Sequence, residues 1–240
     1  LCHPRQRQIL EDAGIDLSRS LVLERPLGAL RNFTVRTSYD DGQFRAGWVG
    51  REHARKRTTW FAEAMQCFAA GKSDVVAVLI GKELEPLYRR LCGNGISCEH
   101  FDRTYISIRD YPALYQQLDC VVITSFTEAG PLPLFEALAT GVPVVSTSVG
   151  WAPHLARKAP GFVFLADSPQ GIAAHLETIR SRRAEMFASR FQIAATVEDY
   201  HLDDWYQEVL QLAAAVARNG TVNTCGAQRI PVQKHTEKML

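Results

Sequence analysis

Three short apolar runs rich in β-branched residues set the strongest limit on how this chain can fold. They are VVAVLIG at 75–81, DCVVITS at 119–125 and GVPVVS at 141–146. Strands that are apolar at nearly every position are typical of a parallel sheet that is buried on both faces. Segments with helical periodicity alternate with these runs, which predicts an α/β domain with a doubly wound parallel sheet.

The same periodicity predicts the remaining elements. We expect further strands at 44–50, 97–102 and 161–165, and helices at 3–13, 55–70, 83–92, 111–118, 169–180 and 197–218, with a short helix beginning at Pro131 or Pro133.

Charge and cysteine content exclude several classes of protein. A net charge of +1 gives no electrostatic reason to expect nucleic acid as a partner. No run approaches the roughly 18 apolar residues that a membrane-spanning helix needs. The six cysteines form no CxxC pair. We therefore expect reduced, structural thiols in a cytoplasmic protein, in preference to disulfides or a metal site.

Ligands of doubly wound sheets bind beyond the carboxyl ends of the strands. The loops predicted there are 50–56, 81–85, 101–104, 125–132 and 147–154. In the first loop, Gly50 ends a strand, and Arg51 and Lys56 lie five residues apart. Such a basic pair could hold a diphosphate. Arg55 and Arg57 are also present, so a solvated run of charges is the alternative.

The stretch from 124 to 146 contains two carboxylates, Glu128 and Glu136, with seven residues between them. A helix that starts at Pro131 or Pro133 leaves its first amides facing the crevice and places Glu136 about one turn inside. Two carboxylates so placed could bind the two parts of a nucleotide sugar. Acidic residues are also common near helix amino termini, and the spacing alone leaves both interpretations open.

Together these motifs resemble those of the C-terminal, donor-binding domain of the retaining family 4 glycosyltransferases. Those enzymes have the GT-B fold, in which two Rossmann-like domains face each other. The resemblance covers residues 44–205 and rests on Gly50-Arg51, Lys56, and Glu128 followed at the family spacing by Glu136 in the run EALATGVPVV. It implies that this chain is one half of a GT-B fold.

The resemblance also implies roles for individual residues. Arg51 and Lys56 would bind the donor diphosphate and assist its departure, Glu136 would bind the ribose hydroxyls, and Glu128 would lie near the transferred sugar. The resemblance implies no obligatory metal ion and no cofactor. The donor substrate would be a nucleoside diphosphate sugar such as a UDP- or GDP-sugar. Further donor contacts are expected from Gly50, Gly130, Pro131, Leu132 and, in the base-reading loop, Arg103.

The implied function is transfer of a hexose with retention of configuration to a saccharide or glycolipid acceptor. We expect residues 1–42 to be the end of a missing N-terminal domain and its linker, which would carry the acceptor and any peripheral membrane contact. Residues 43–200 would bind the nucleotide sugar. The helix at 197–218 would cross back to the missing domain, and 219–240 would be a disordered tail.

Two departures from the family pattern keep alternatives open. Ala129-Gly130-Pro131 stands where the family has glycines on both sides of one residue, and Pro131 cannot donate a hydrogen bond. The family's Gly-Gly and Pro-Glu pairs are replaced in the segment 150–154. The alternatives are a non-catalytic nucleotide-sugar-binding or scaffolding domain, and a GT-B sugar-nucleotide epimerase or phosphorylase.

Overall fold

The computed structural model describes residues 9–16, 30–38, 42–107, 109–200, 206–207, 209–211 and 213–214. The strands among them are β1 (Phe44–Arg51), β2 (Val75–Lys82), β3 (Ser97–Asp102), β4 (Cys120–Ile123), β5 (Val144–Ser146) and β6 (Val163–Leu165). The α-helices are α1 (Thr58–Ala69), α2 (Glu85–Gly93), α3 (Tyr111–Gln116), α4 (Leu132–Ala139), α5 (Ala152–Lys158), α6 (Pro169–Ser181), α7 (Arg183–Ala188) and α8 (Arg190–Ala195). Short 3₁₀ helices lie at Leu30–Asn32 and Ala54–Lys56.

The strands form one parallel sheet in the order β3-β2-β1-β4-β5-β6. The chain winds outward from β1 to β3 and then crosses to the other side of β1 to continue with β4. Strand order therefore reverses between β1 and β4, where a doubly wound sheet opens a crevice for ligands. This topology confirms the sheet that the sequence predicted.

The apolar runs are explained by two core layers, one on each face of the sheet. Residues 76, 78 and 80 of β2 pack in one cluster with residues of α3, α4 and α5. Residues 75, 77 and 79 pack in the other with residues of α1, α2 and α6. Because successive side chains of a strand point to opposite faces, both sets of positions must be apolar.

Two helices begin later than the sequence predicted, and each follows a residue in the left-handed conformation. Arg57 has φ 46° directly before α1, and Glu83 has φ 61° two residues before α2. Such backbone angles are incompatible with a continuous right-handed helix. Neither residue is a glycine, so the sequence carried no sign of these interruptions.

The predictions for the chain ends have mixed outcomes. Residues 9–12 are helical, and the predicted stop at Gly14 has φ 76°. The predicted helix start at Val197 is wrong, because 196–199 form a turn. Among the described residues after 200, those at 206–207, 209–211 and 213–214 are helical. The sequence did not predict α5, α7 or α8. The tail at 219–240 lies outside the described residues.

Four of the six cysteines lie in the part of the chain that the structure describes. Cys67, Cys92, Cys98 and Cys120 are free thiols, and Cys120 is buried. Burial raises the pKa of Cys120, which keeps it a protonated thiol. None of the described helices is long and apolar enough to span a membrane.

Candidate functional site

Hydrogen bonds join the turn after β1 to the end of β4 across the crevice. The Thr124 hydroxyl donates to the carbonyl O of Lys56 (2.6 Å), and the Phe126 amide donates to that of Arg55 (2.7 Å). The Arg57 guanidinium donates to the carbonyl O of Thr124 (2.9 Å). These bonds help to offset the unfavourable backbone conformation of Arg57 and fix the preceding residues against β4.

The first pair of predicted site residues meets in this crevice. Lys56 Nζ lies 2.5 Å from Glu128 Oε1, and the Ser125 hydroxyl donates to the same oxygen (2.9 Å). Arg55 Nη1 lies 3.5 Å from the other oxygen, Oε2. The Glu128 side chain is only 8% exposed, so its charge is placed between two cations in a partly water-excluded site.

Glu136 lies in α4, about one turn after its start, as the sequence predicted. Its carboxylate accepts hydrogen bonds from the hydroxyls of Tyr115 (2.5 Å) and Tyr111 (3.5 Å). Desolvation raises the pKa of Glu136, while the Tyr115 hydrogen bond and the charge of Arg103 oppose that rise. The Arg103 guanidinium stacks 4.2 Å from the centre of the Tyr111 ring. The structure thus brings two predicted residues, Glu136 and Arg103, into one cluster.

Prolines change the chemistry of the turn that opens α4. Pro131 precedes the helix and Pro133 is its second residue, so neither position offers an amide hydrogen. The Leu134 amide is bonded to the carbonyl O of Pro131 (2.9 Å). The turn nevertheless retains the amide of the predicted residue Leu132, a residue that is 39% exposed.

The loop at 129–131 packs tightly against the loop after β5. Gly150 has φ 50°, and a Cβ at this position would lie 2.9 Å from Pro131 Cδ and 3.1 Å from the Ala129 carbonyl O. A side chain there would displace the loop that carries Gly130. Beyond it, His154 is exposed on α5, with its ring 5.2 Å from that of Trp151.

Arg51 pairs with a carboxylate from a different loop. Its guanidinium makes two hydrogen bonds with Glu83, at 2.8 and 2.9 Å. Both side chains are well exposed, at 70% and 57%. The predicted residue Gly50 lies beside Gly81 in the register of β1 and β2. Of the two predicted diphosphate ligands, therefore, Lys56 contacts Glu128 while Arg51 is held by Glu83.

Sequence reasoning missed four side chains that surround the predicted residues. Tyr111 and Tyr115 are four positions apart on one helix, and this spacing puts them on the same face. That pair could have been read from the sequence. The contacts of Arg55 and Glu83 had no comparable signal. Across the described residues, no group of three or more His, Cys, Asp or Glu side chains could hold a metal ion.

Comparison with known families identifies the family of this chain. The family described as "Glycosyl transferases group 1" matches residues 43–182, which include β1 to β6 and the whole crevice. The chain belongs to this family. A comparison with curated proteins finds no significant match.

Several solved structures share the fold of this group 1 glycosyltransferase chain. HepE from Anabaena, crystallised with UDP and glucose, has a TM-score of 0.70 at 17% identity over 89% of this chain and 62% of HepE. A glycosyltransferase from Rickettsia africae has a TM-score of 0.71 at 16% identity over 90% of this chain and 62% of that one. The C-terminal domain of LpcC from Francisella tularensis has a TM-score of 0.55 at 23% identity, over 72% of this chain and 92% of that domain.

At these identities the similarity establishes the fold. The predicted Rossmann-like architecture, as found in one half of GT-B glycosyltransferases, is confirmed. The chain spans 62% of the length of HepE and of the Rickettsia protein.

Proposed function

We propose that this chain is the donor-binding part of a retaining, metal-independent hexosyltransferase of family 4. The observation that carries the proposal is the contact between Lys56 and Glu128 at the carboxyl ends of β1 and β4. In a group 1 glycosyltransferase, this contact joins a cation suited to phosphate with a carboxylate suited to sugar hydroxyls. Both lie where the topology opens its ligand crevice.

The proposed roles follow from the chemistry of each side chain. Lys56 and Arg51 stabilise the negative charge that develops on the departing nucleoside diphosphate. The charge of Lys56 acts in a partly buried crevice, where ion pairs are stronger than in water. Glu136 accepts hydrogen bonds from the ribose hydroxyls, and Glu128 accepts them from the transferred sugar. The hydrogen bonds of the Tyr111 and Tyr115 hydroxyls support this role, since they orient the Glu136 carboxylate before the ribose arrives.

We propose a UDP-sugar as the donor to test first, because HepE was crystallised with UDP and with UDP-glucose. Arg103 contributes to the base end of the site, where its guanidinium has a flat face beside Tyr111. The amides of Gly130 and Leu132 contribute to the phosphate or sugar end, and Gly50 lets the backbone approach. The acceptor is a saccharide or glycolipid, bound by a second domain that faces this one in the cytoplasm.

A second candidate is a nucleotide-sugar-binding domain without transferase activity. The observation that favours it is the pair of prolines at 131 and 133, which removes two amides from the helix start nearest the proposed sugar position. Binding of the donor is common to both candidates. Release of the nucleoside diphosphate from the sugar in the presence of an acceptor separates them.

The first experiment is a thermal-shift screen of this chain with UDP, GDP and ADP and their glucose conjugates. A ligand at about 100 times its dissociation constant adds roughly 2.7 kcal/mol to the free energy of unfolding. For a domain of this size, that increment raises Tm by at least about 5 °C. We expect a shift with UDP and UDP-glucose, and a much smaller one in the Glu136→Ala variant.

The matched control is Glu85→Ala, which removes an exposed carboxylate of α2 that pairs with Arg89. This variant should respond to UDP as the parent chain does. If no nucleotide at millimolar concentration changes Tm, the donor-binding proposal fails. An equal shift in Glu136→Ala and the parent chain would instead refute the ribose role.

A further inference from the structure

Hydrogen bonds to the segment after β4 fix the backbones of Arg55 and Lys56. Both lie in the 3₁₀ turn Ala54–Lys56. The carbonyl O of Arg55 accepts a hydrogen bond from the Phe126 amide (2.7 Å), and that of Lys56 accepts one from the Thr124 hydroxyl (2.6 Å). Side chains that start from a fixed backbone lose less conformational freedom on binding a ligand. The turn therefore presents two adjacent cations to the crevice.

The two cations face different oxygens of one carboxylate. Lys56 Nζ meets Glu128 Oε1 at 2.5 Å, and Arg55 Nη1 lies 3.5 Å from Oε2. Glu128 is 8% exposed, Lys56 16% and Arg55 49%, so the carboxylate is the most deeply placed of the three. Two cations placed in this way can each bind a different oxygen of one anion. A phosphate group offers several such oxygens.

Arg51 has a different environment. It is bonded through two nitrogens to both oxygens of Glu83, on the exposed rim of the sheet. Glu83 keeps a left-handed backbone conformation of φ 61° while it makes this pair. The cation that shares the crevice with Lys56 in this structure is therefore Arg55, which the spacing of the sequence motif does not single out.

We propose that Arg55 and Lys56 together form the donor-phosphate site of this chain, and that the Glu128 carboxylate occupies it until a phosphate of the donor displaces it. The inference rests on the proposed function and extends it by naming a further phosphate-binding residue. No covalent bond changes in the exchange. The two cations pass from the carboxylate to the phosphate oxygens, and Glu128 is released towards the sugar part of the donor.

This exchange makes opposite predictions for the two partners. Loss of Arg55 removes a contact to phosphate, so Arg55→Gln should weaken the binding of UDP about tenfold or more. Loss of the Glu128 charge removes the competitor, so Glu128→Gln should strengthen the binding of UDP about threefold or more. Arg55→Lys retains the charge without the planar fork and should lie between the parent chain and Arg55→Gln.

The experiment is calorimetric titration of the whole chain with UDP and, separately, with inorganic pyrophosphate, at one fixed low salt concentration. Pyrophosphate lacks the nucleoside, so both substitutions should change its affinity in the same directions as for UDP. Arg89→Gln, which alters an exposed arginine of α2, is the matched control and should leave both affinities unchanged. Thermal unfolding of each variant checks that the variant is folded.

Three outcomes have distinct meanings. Unchanged UDP binding in Arg55→Gln, or weaker binding in Glu128→Gln, overturns the inference while the proposed function stands. A loss for UDP without a loss for pyrophosphate also overturns it, because Arg55 would then act on the nucleoside. If the parent chain binds neither UDP, GDP nor ADP, the proposed function fails and the inference fails with it.

Discussion

At the scale of single residues, the crevice contains a carboxylate whose environment disfavours its charge. Desolvation raises the pKa of Glu136 above its ordinary value, and the Tyr115 hydrogen bond and Arg103 only partly counter this effect. Burial also raises the pKa values of Tyr111 and Tyr115, so their hydroxyls remain protonated donors. The folded protein thus binds a proton at Glu136 more readily than the unfolded chain does.

The sign of the pH dependence follows from that difference. Between the ordinary and the raised pKa of Glu136, its contribution to the free energy of unfolding decreases as pH rises. Glu136→Gln keeps an acceptor for Tyr115 and removes the buried charge. We therefore expect it to raise Tm at pH 7 and above, with a gain that shrinks as the pH falls towards the ordinary glutamate value.

Thermal unfolding of both proteins from acidic to weakly alkaline pH tests this prediction. Glu185→Gln is the matched control, because the hydrogen bonds from Arg182 lower the pKa of Glu185 and its loss should not raise Tm. A lower Tm for Glu136→Gln at every pH would show that the carboxylate stabilises the fold. We expect the Glu136→Gln variant to be more stable and to bind UDP more weakly. This combination is typical of a substitution at a binding residue.

At the scale of secondary-structure elements, the spacing of β1 and β2 at their carboxyl ends depends on glycine. Gly50 and Gly81 are register partners, and a Cβ on Gly81 would lie 1.6 Å from the carbonyl O of Gly50. The clash is with backbone, so the strands themselves would have to separate. In the middle of β1, a Cβ on Gly47 would lie 2.4 Å from Leu118 Cδ1, which is the end of a side chain.

These two positions provide a matched pair of substitutions. Gly81→Ala should reduce the free energy of unfolding by about 3 kcal/mol or more, and Gly47→Ala by about 1–2 kcal/mol, because a side chain can shift more easily than a strand. Urea unfolding of both variants measures the difference. A smaller loss for Gly81→Ala than for Gly47→Ala would contradict the close approach of the strands. Gly81→Ala should also weaken UDP binding, since it moves the loop after β1.

At the scale of the whole molecule, a buried ion network joins distant parts of the chain on the amino-terminal side of the sheet. The Asp119 carboxylate accepts hydrogen bonds from the Arg45 amide (2.9 Å) and Arg183 Nε (2.8 Å), and it lies 3.7 Å from Arg36 Nη1. Arg36 and Asp119 are 1% and 2% exposed. The network connects the segment before β1 with the sheet and α7, at the edge opposite the crevice.

Removal of one member leaves a buried charge without its partner. We expect Asp119→Ala to reduce the free energy of unfolding by about 3–5 kcal/mol. Asp119→Asn should cost less, since it can still accept the Arg45 hydrogen bond. Urea unfolding measures both, and Glu85→Ala should change the value by less than about 0.5 kcal/mol. The folded variants should bind UDP as the parent chain does, so a selective loss of UDP affinity would contradict the separation of this network from the crevice.

The sequence predicted the strands more accurately than the helices. Runs such as VVAVLIG are apolar because both faces of β2 are covered, and this requirement is local enough to be read from composition. The short helices α5, α7 and α8 have six or seven residues each, too few for a clear 3.6-residue period. The late starts of α1 and α2 depend on Arg57 and Glu83, which have left-handed backbone conformations. Both residues contact distant parts of the chain, so local patterns could not predict where these helices begin.

By itself, the sequence determined the order of the strands, most of the helices between them, the doubly wound fold and the spacing of Glu128 and Glu136. These properties depend on neighbours along the chain, because burial on a strand or one turn of a helix repeats over a few residues. Only the tertiary structure decided that Arg55 and Lys56 meet Glu128, that Glu83 holds Arg51, and that two tyrosines hold Glu136. Arg55 and Glu128 are 73 positions apart, and their contact depends on how β1 and β4 align, which no local pattern records.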